Sequence, residues 1–187
     1  MSTVRRLGIL GSFGLALTLA GCGLFSPEKA TPEPEVPEEY KARISPGNVL
    51  FNLALAHRNR DIDNYRDQMD EQYLFIPNPE DPEVDFEQLT FPEDQESTEN
   101  MFNVVDKVEM RLDYPAPQPS DRLEYPAEQG YQQILVSSVR MDVTTREIID
   151  GEPLILQVAG DPATFIFVPD STQTPVTWKI VFQQDDS

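Results

Sequence analysis

Cysteine and histidine are nearly absent from this chain of 187 residues, which contains one of each. A single cysteine excludes an intramolecular disulfide framework and any metal site built from several thiolates. A single histidine excludes the motifs in which two imidazoles hold one metal ion. We therefore expect no metal site and no cofactor.

Basic residues are also scarce, with 14 Lys and Arg against 33 Asp and Glu, which gives a formal net charge of −19. Such a chain repels a phosphate backbone, so nucleic acid is excluded as a partner. The sequence also lacks a G-x-S-x-G motif, a glycine-rich phosphate loop and an internal repeat. The hydrophobic share of 39% is sufficient for a core, and the length suits one domain.

The amino terminus has the pattern of a secretory signal. Arg5 and Arg6 precede an apolar stretch over residues 7–19, which then runs into Leu19-Ala20-Gly21-Cys22. The stretch is too short for a membrane-spanning helix, which needs about 20 apolar residues. Because residues 1–21 contain two bases and no acid, their removal would leave a mature chain even more acidic than the precursor.

The sequence Leu19-Ala20-Gly21-Cys22 resembles the lipobox of bacterial lipoproteins. The resemblance implies cleavage between Gly21 and Cys22, and acylation of Cys22 as a membrane anchor. Gly23 stands where enteric lipoproteins of the inner membrane carry Asp, which implies the periplasmic side of the outer membrane if the organism has one. The alternative is an ordinary secretory signal in which the cysteine occurs by chance.

Two segments of the remaining chain are rich in proline and acid. We interpret residues 22–44 as a tether. Their prolines stiffen the chain, and they contain too few apolar side chains to form a packed structure. Residues 45–187 read as one domain. Within it, residues 77–100 contain nine acids and no base. This block is either a Ca²⁺ site or a solvated surface loop, and its spacing does not match an EF-hand, which favours the loop.

Capping residues predict three helices. Ser45, followed by proline, predicts a helix over residues 47–59, whose apolar side chains recur at helical spacing. Asp61 predicts the start of a second, short helix. Ser97 or Thr98 predicts the start of a third.

Alternating apolar residues predict that strands dominate the remainder. Asp150-Gly151 is a hairpin signal between the two longest strands. The order of elements predicts an α+β domain, in which the amino-terminal helices pack on one face of a curved antiparallel sheet. The five predicted strands are 73–76, 108–114, 131–149, 153–168, with a bend at 160–162, and 176–182.

The alternation also assigns the two faces of the sheet. Leu135 and Phe182 are expected to face the helices, whereas Gln183 faces outward. Ile134 and Val136 have the opposite parity to Leu135. We expect a second layer of this chain or a partner subunit to cover that other face.

Two stretches resemble the nuclear transport factor 2-like superfamily, which includes ketosteroid isomerase-like and SnoaL-like proteins. One is residues 59–65, Asn-Arg-Asp-Ile-Asp-Asn-Tyr, with the strand Tyr-Leu-Phe at 73–75, and the other is Trp-Lys-Ile at 178–180. The match spans about residues 45–187. The resemblance implies a conical pocket between helices and sheet, used by enzymatic members for acid–base chemistry. Other members bind ligands or partners, and many form homodimers through the sheet face.

Few side chains are candidates for chemistry. His57 could be a pocket acid or base, or a core-edge residue bonded to backbone. Tyr65 could offer its hydroxyl to a ligand or simply form a wall. Asp61 and Asp63 lie between two helices and are more suited to capping, and Trp178 to the core.

Two functions are open on this basis. The favoured one is a non-catalytic envelope lipoprotein whose domain binds a protein partner or an apolar ligand. The alternative is a small pocket enzyme, an isomerase or dehydratase, that uses His57 and Tyr65. The first is favoured because the only acids found within the apolar strand patterns, Asp142 and Glu152, have outward or turn positions. A pocket in which His57 and Tyr65 converge would favour the enzyme.

Overall fold

The computed structural model describes residues 38–79, 86–149 and 152–186. The chain divides into two units, Met1–Pro37 and Glu38–Ser187, and the described residues belong to the second. The signal segment with Cys22, most of the tether, part of the acidic block and the Asp150-Gly151 turn lie outside the described residues. Within these residues, no helix is long and apolar enough to cross a bilayer.

The first two helices begin at the predicted caps. Helix α1, Pro46–Asn59, starts where the Ser45 hydroxyl accepts a hydrogen bond from the backbone N–H of Asn48 at 3.2 Å. Helix α2, Ile62–Gln68, starts where the Asp61 carboxylate accepts from the N–H of Asn64 at 3.0 Å. Both caps satisfy N–H groups that have no partner inside their helix, and both predictions are confirmed.

The third helix, α3, is Phe91–Val104, so it begins earlier than Ser97 or Thr98. Thr90 is the N-cap, and the Glu93 carboxylate accepts from its N–H at 2.9 Å to form a capping box. Pro92 lies in the first turn, where a missing N–H costs no hydrogen bond. The predicted start was wrong, and the acidic block is helical from residue 91 onward.

The described residues form one mixed sheet in the order β2-β1-β7-β6-β5-β3, with β4 paired to β5. Every pairing is antiparallel except the one between β1 and β7, which is parallel. The α+β prediction is thus confirmed with one parallel pair added. The strands are β1 Met69–Ile76, β2 Leu89–Thr90, β3 Val105–Asp113, β4 Gln118–Pro119, β5 Gln132–Ile149, β6 Glu152–Asp170 and β7 Thr177–Asp185.

A bulge in β5 reverses the predicted faces of its first half. The register with β6 shifts between Val136 and Val139. Ile134 and Val136 are consequently buried in the core, whereas Leu135 is 46% exposed. The prediction for these three residues was wrong, because an extra residue in a strand inverts the parity of everything on one side of it.

A second bulge has the same effect in β7. The pairing with β6 skips Val181, which lies between the paired residues Ile180 and Phe182. Phe182 therefore joins a cluster on the outer face, and Gln183 points inward to the hydroxyl of Tyr73. Both residues lie on the face opposite to the one predicted for them.

The main core fills the space between the helices and the inner face of the sheet, and Trp178 packs at its edge as predicted. On the outer face, Tyr125 and Tyr131 of the segment before β5 pack against the Phe182 cluster. Part of that face is therefore covered by the chain itself. The largest fully buried apolar side chains are Phe165, Phe167, Leu50, Leu53, Met69, Ile134, Ile166 and Ile180.

Candidate ligand-binding cavity

A cavity of about 320 Å³ lies between the helices and the inner face of the sheet. Residues from all three helices and from β1, β3, β5, β6 and β7 contribute to its wall. The volume is at the lower end of the range for small-molecule sites. Much of the wall is apolar, and its larger members are Leu53, Phe75, Met101, Met110, Val139 and Met141.

His57, from the last turn of α1, is one of the polar residues in this wall. Its side chain is buried, with 8% exposed, and Nδ1 lies 2.9 Å from the carbonyl oxygen of Leu53. Because a carbonyl oxygen only accepts, Nδ1 carries the proton and Nε2 presents a lone pair. Burial lowers the pKa of His57, and its hydrogen bond to Leu53 opposes that effect. The ring is therefore neutral at pH 7.

Two aromatic rings hold the imidazole in place. The ring centroid of His57 lies 5.2 Å from that of Tyr65 and 5.6 Å from that of Phe102, both in edge-to-face geometry. Such contacts, together with the bond to Leu53, fix the ring orientation. Within the described residues, the one hydrogen bond of the His57 ring is made by Nδ1.

Tyr65 and Asp94 form the second polar feature of the cavity. The Tyr65 hydroxyl donates a hydrogen bond to Oδ2 of Asp94, which lies in the first turn of α3. Burial raises the pKa of Asp94, and the bond from Tyr65 opposes this. Burial also raises the pKa of Tyr65, and the nearby Asp94 charge raises it further. The tyrosine therefore keeps its proton, and the carboxyl group holds its own proton more tightly than an exposed aspartate does.

Gln183 extends this polar group toward the sheet. The hydroxyl of Tyr73 donates to Oε1 of Gln183 at 3.1 Å. Burial raises the pKa of Tyr73, and the proximity of Tyr65 and Asp94 raises it further. Asp161 of β6 and Asp185 of β7 also line the cavity. In the described part of the chain, no Lys or Arg lines it.

The sequence-predicted candidates divide between the cavity and the surface. His57 and Tyr65 both line the cavity. Asp61 caps α2 and accepts a hydrogen bond from the Tyr40 hydroxyl at 3.1 Å. Asp63 is exposed and pairs with Arg66 at 3.5 Å. Neither of these two aspartates lines the cavity, and the capping prediction is confirmed for Asp61 alone, because Asp63 lies within the first turn of α2.

Sequence reasoning missed the carboxylates of the cavity. Asp94 shares a helix face with Thr98 and Met101, four and seven residues later, and that spacing was a usable signal. Asp161 and Asp185 lack such a signal, because each lies beyond a bulge that alters the strand parity. The sequence analysis considered only Asp142 and Glu152 among the acids of the strands, and it did not predict that β6 and β7 bring Asp161 and Asp185 to the cavity.

The cavity combines two groups suited to moving protons. Asp94 has a raised pKa and His57 a neutral imidazole, and both line one mostly apolar space. Such groups can remove and return a proton if a substrate lies within hydrogen-bond reach. No three His, Cys, Asp or Glu side chains of the described ranges lie together in a way that could hold a metal ion.

Similarity to known proteins is found in structure and not in sequence. No protein-family model matches the chain, and no curated protein matches it. A protein from Kribbella flavida superposes with a TM-score of 0.58 at 10% identity, covering 76% of this chain and 86% of that chain. A candidate aromatic ring hydroxylase from Novosphingobium aromaticivorans gives 0.56 at 14% identity, covering 78% and 87% respectively.

A candidate dehydratase from the nuclear transport factor 2-like family of Streptomyces avermitilis gives a TM-score of 0.52 at 11% identity. It covers 75% of this chain and 94% of that chain. At these identities the similarity shows the fold alone. The domain has the nuclear transport factor 2-like fold, as the sequence resemblance implied.

Proposed function

We propose that this chain, whose domain has the nuclear transport factor 2-like fold, binds a small molecule with an apolar body. We further propose that Cys22 anchors it in a bacterial envelope membrane. The observation that carries the binding proposal is the cavity of about 320 Å³, in which a few polar groups interrupt an apolar wall. Sites of this kind bury the body of a ligand in apolar side chains and orient it through a few polar contacts.

A neutral fluorescent probe tests whether the cavity is accessible. N-phenyl-1-naphthylamine brightens in apolar surroundings, so its emission should rise when the domain is added. Met141→Trp fills the cavity and should weaken the binding, whereas Leu135→Trp on the outer face should leave it unchanged. No enhancement with the wild type, or equal enhancement with Met141→Trp, would refute cavity binding.

The anchor proposal rests on the basic residues, the apolar stretch and Leu19-Ala20-Gly21-Cys22. Two or more acyl chains hold a protein on a bilayer where one does not. The wild type should fractionate with membranes after expression in a Gram-negative host, and with the outer membrane on a sucrose gradient. Cys22→Ala should leave an unprocessed, soluble precursor, whereas Ser26→Ala should behave as the wild type. Unchanged partitioning and mobility of Cys22→Ala would contradict the anchor.

A second candidate function is proton transfer of the isomerase or dehydratase class. It is favoured by the presence of Asp94 and the Nε2 lone pair of His57 in one cavity. The Asp94 carboxylate would remove a proton from carbon next to a carbonyl group and, once protonated, would return it, with the Nε2 lone pair of His57 as a second acceptor for that proton. Exchange of the methyl protons of 2-acetonaphthalene in D₂O, followed by NMR, tests this. If the exchange is no faster than in buffer, or is unchanged in Asp94→Asn, proton transfer is refuted and only the binding proposal remains.

Protein contacts form a third proposal for the outer sheet face. Leu135 and Ile155 are exposed there, with 46% and 52% of their surface accessible. A homodimer or partner protein would bury these side chains. Light scattering with size-exclusion chromatography should detect a dimer of the wild type that Leu135→Lys dissociates. A monomer at all concentrations would leave only a different protein as the partner.

A further inference from the structure

The charged groups of the described cavity lining are all hydrogen-bond acceptors, and the neutral donors beside them are Ser97, Thr98 and Gln183. The carboxylates of Asp94, Asp161 and Asp185 accept when ionised. The hydroxyl proton of Tyr65 is already given to Asp94. A ligand placed against the charged groups must therefore supply a donor, since an acceptor there would remain unsatisfied.

His57 strengthens this pattern independently of the acids. More than nine-tenths of its surface is buried, and it lines the cavity. Its Nδ1 proton is bound to the carbonyl oxygen of Leu53, so Nε2 is an acceptor. Nε2 lacks a hydrogen-bond partner throughout the part of the chain that the structure describes. Because no buried side-chain nitrogen or oxygen of the described residues lacks a partner, Nε2 retains some accessible surface, where a donor from a ligand or from water can reach it.

The charge around the cavity is of one sign. Its described lining includes three carboxylic acids and no Lys or Arg, in a chain of net charge −19. A bound anion would lose its hydration and meet like charges. A cation would instead be drawn toward the opening and paired inside it.

The remainder of the wall suits the body of an organic molecule. Met101, Met110 and Met141 bring three flexible, polarisable thioethers to one cavity. Such side chains adapt to ligands of irregular shape. The ring of Phe75 can pack against a flat group or accept a cation on its face.

We infer that the cavity binds an amphiphilic amine, a protonated nitrogen on an apolar body that is aromatic or aliphatic. The ammonium group pairs with the Asp94 carboxylate and donates to Nε2 of His57, while the body lies along the three methionines. This inference rests on the proposed cavity function and specifies its ligand class.

Three probes that share one body and differ in one group provide the test. They are 2-naphthylmethylamine, 2-naphthylmethanol and 2-naphthoate, titrated into the full domain by calorimetry near neutral pH. The amine should bind at least about tenfold more tightly than the alcohol, as a charge-assisted hydrogen bond implies. The naphthoate should bind more weakly than the alcohol. Methylammonium, which lacks the apolar body, should not bind, and this excludes attraction by net charge alone.

Variants then assign the preference to Asp94. In Asp94→Asn, the advantage of the amine over the alcohol should fall to about threefold or less. Asp63→Asn, on the exposed face of α2, removes the same charge elsewhere and should retain the full advantage. If Asp94→Asn does not fold, the comparison of the amine with the alcohol in the wild type still tests the ligand class.

The outcomes separate this inference from the function on which it rests. If the alcohol binds as tightly as the amine, the ligand class is wrong and the binding cavity remains. If the amine preference persists unchanged in folded Asp94→Asn, the ammonium site at Asp94 is wrong. If neither the amine nor the alcohol nor the neutral fluorescent probe binds, the proposed binding function itself is overturned.

Discussion

The Nδ1 atom of His57 lies 2.9 Å from the carbonyl oxygen of Leu53, one helical turn earlier in α1. This bond uses the only proton of the neutral ring and leaves Nε2 as a lone pair at the cavity. The orientation of one side chain thus determines whether the cavity can accept a hydrogen bond from a ligand at this point. Burial of the same ring lowers the pKa of His57 and makes the stability of the domain depend on pH.

His57→Gln should flatten the acid side of the pH–stability profile. Burial lowers the pKa of His57 below its usual value of 6.5, so protonation favours the unfolded chain. The stabilising contribution is full above that value and is lost as pH falls through the lowered pKa. Urea unfolding between about pH 7 and pH 5 should show a smaller loss of free energy for the variant. Equal slopes for the two proteins would contradict the lowered pKa.

Asp94→Asn should make the domain more stable at neutral pH. Burial raises the pKa of Asp94, so its charge is a cost that is present above the raised pKa and disappears as pH falls below the usual value. An amide of the same shape avoids this cost, and we expect a gain of about 0.5–1 kcal/mol in the free energy of unfolding at pH 7. Chemical denaturation at pH 7 measures it.

Glu93, the residue before Asp94, provides a control for which we expect the opposite change in stability. Glu93 is exposed, and its hydrogen bonds with Thr90 lower its pKa. Its stabilising effect is present at neutral pH and is lost as pH falls through the lowered pKa. Glu93→Gln should therefore lose stability at pH 7 where Asp94→Asn gains it. Loss of stability by both variants would contradict the raised pKa of Asp94.

Tyr65→Phe should destabilise the domain by about 1 kcal/mol, because it removes one partly buried hydrogen bond and keeps the ring. The double variant with Asp94→Asn completes a thermodynamic cycle. A coupling energy above about 0.5 kcal/mol is expected for residues in direct contact. Thermal or urea unfolding of the four proteins gives that energy, and additive effects would show that the bond contributes nothing.

Gly47→Ala should stabilise the domain by about 0.5 kcal/mol, because alanine restricts the unfolded chain and favours the first turn of α1. A Cβ at this position would lie 3.6 Å from Cε2 of Tyr114, an ordinary contact distance. Gly130→Ala should instead destabilise the domain, because Gly130 has a φ of +89°, which alanine rarely adopts. An added Cβ there would also lie 3.3 Å from Pro169. Melting temperatures should move in opposite directions, and a shift of the same sign would be inconsistent with these backbone geometries.

The sequence predicted those features that depend only on residues close to one another in the chain. Ser45 and Asp61 cap their helices because each side chain needs only an N–H three residues later. His57 and Tyr65 reach the cavity because helical spacing places them on the inner face. These features depend on no distant residue, and they could be read from the chain.

The misassigned residues depend on distant partners. Leu135 and Gln183 lie on the face opposite to the predicted one, because the face of each depends on its register with a neighbouring strand. A bulge in that register is defined only when both strands are paired. Asp94 was missed for a different reason, because its many acidic neighbours make the block look uniformly solvated. A helix that begins at Phe91 turns Asp94 inward, whereas Glu93, Glu96 and Glu99 of the same helix are exposed.

The parallel pair of β1 and β7 has a consequence for the order in which the domain can assemble. β7 is the last strand along the chain, yet it occupies the middle of the sheet, between β1 and β6. While the ribosome is still making residues 177–185, β1 has no neighbour on that side and the cavity lacks Gln183 and Asp185. Contacts between such distant segments form slowly. The edge of β1 that pairs with β7 therefore stays unpaired until β7 has been made, and only then is the wall of the cavity complete.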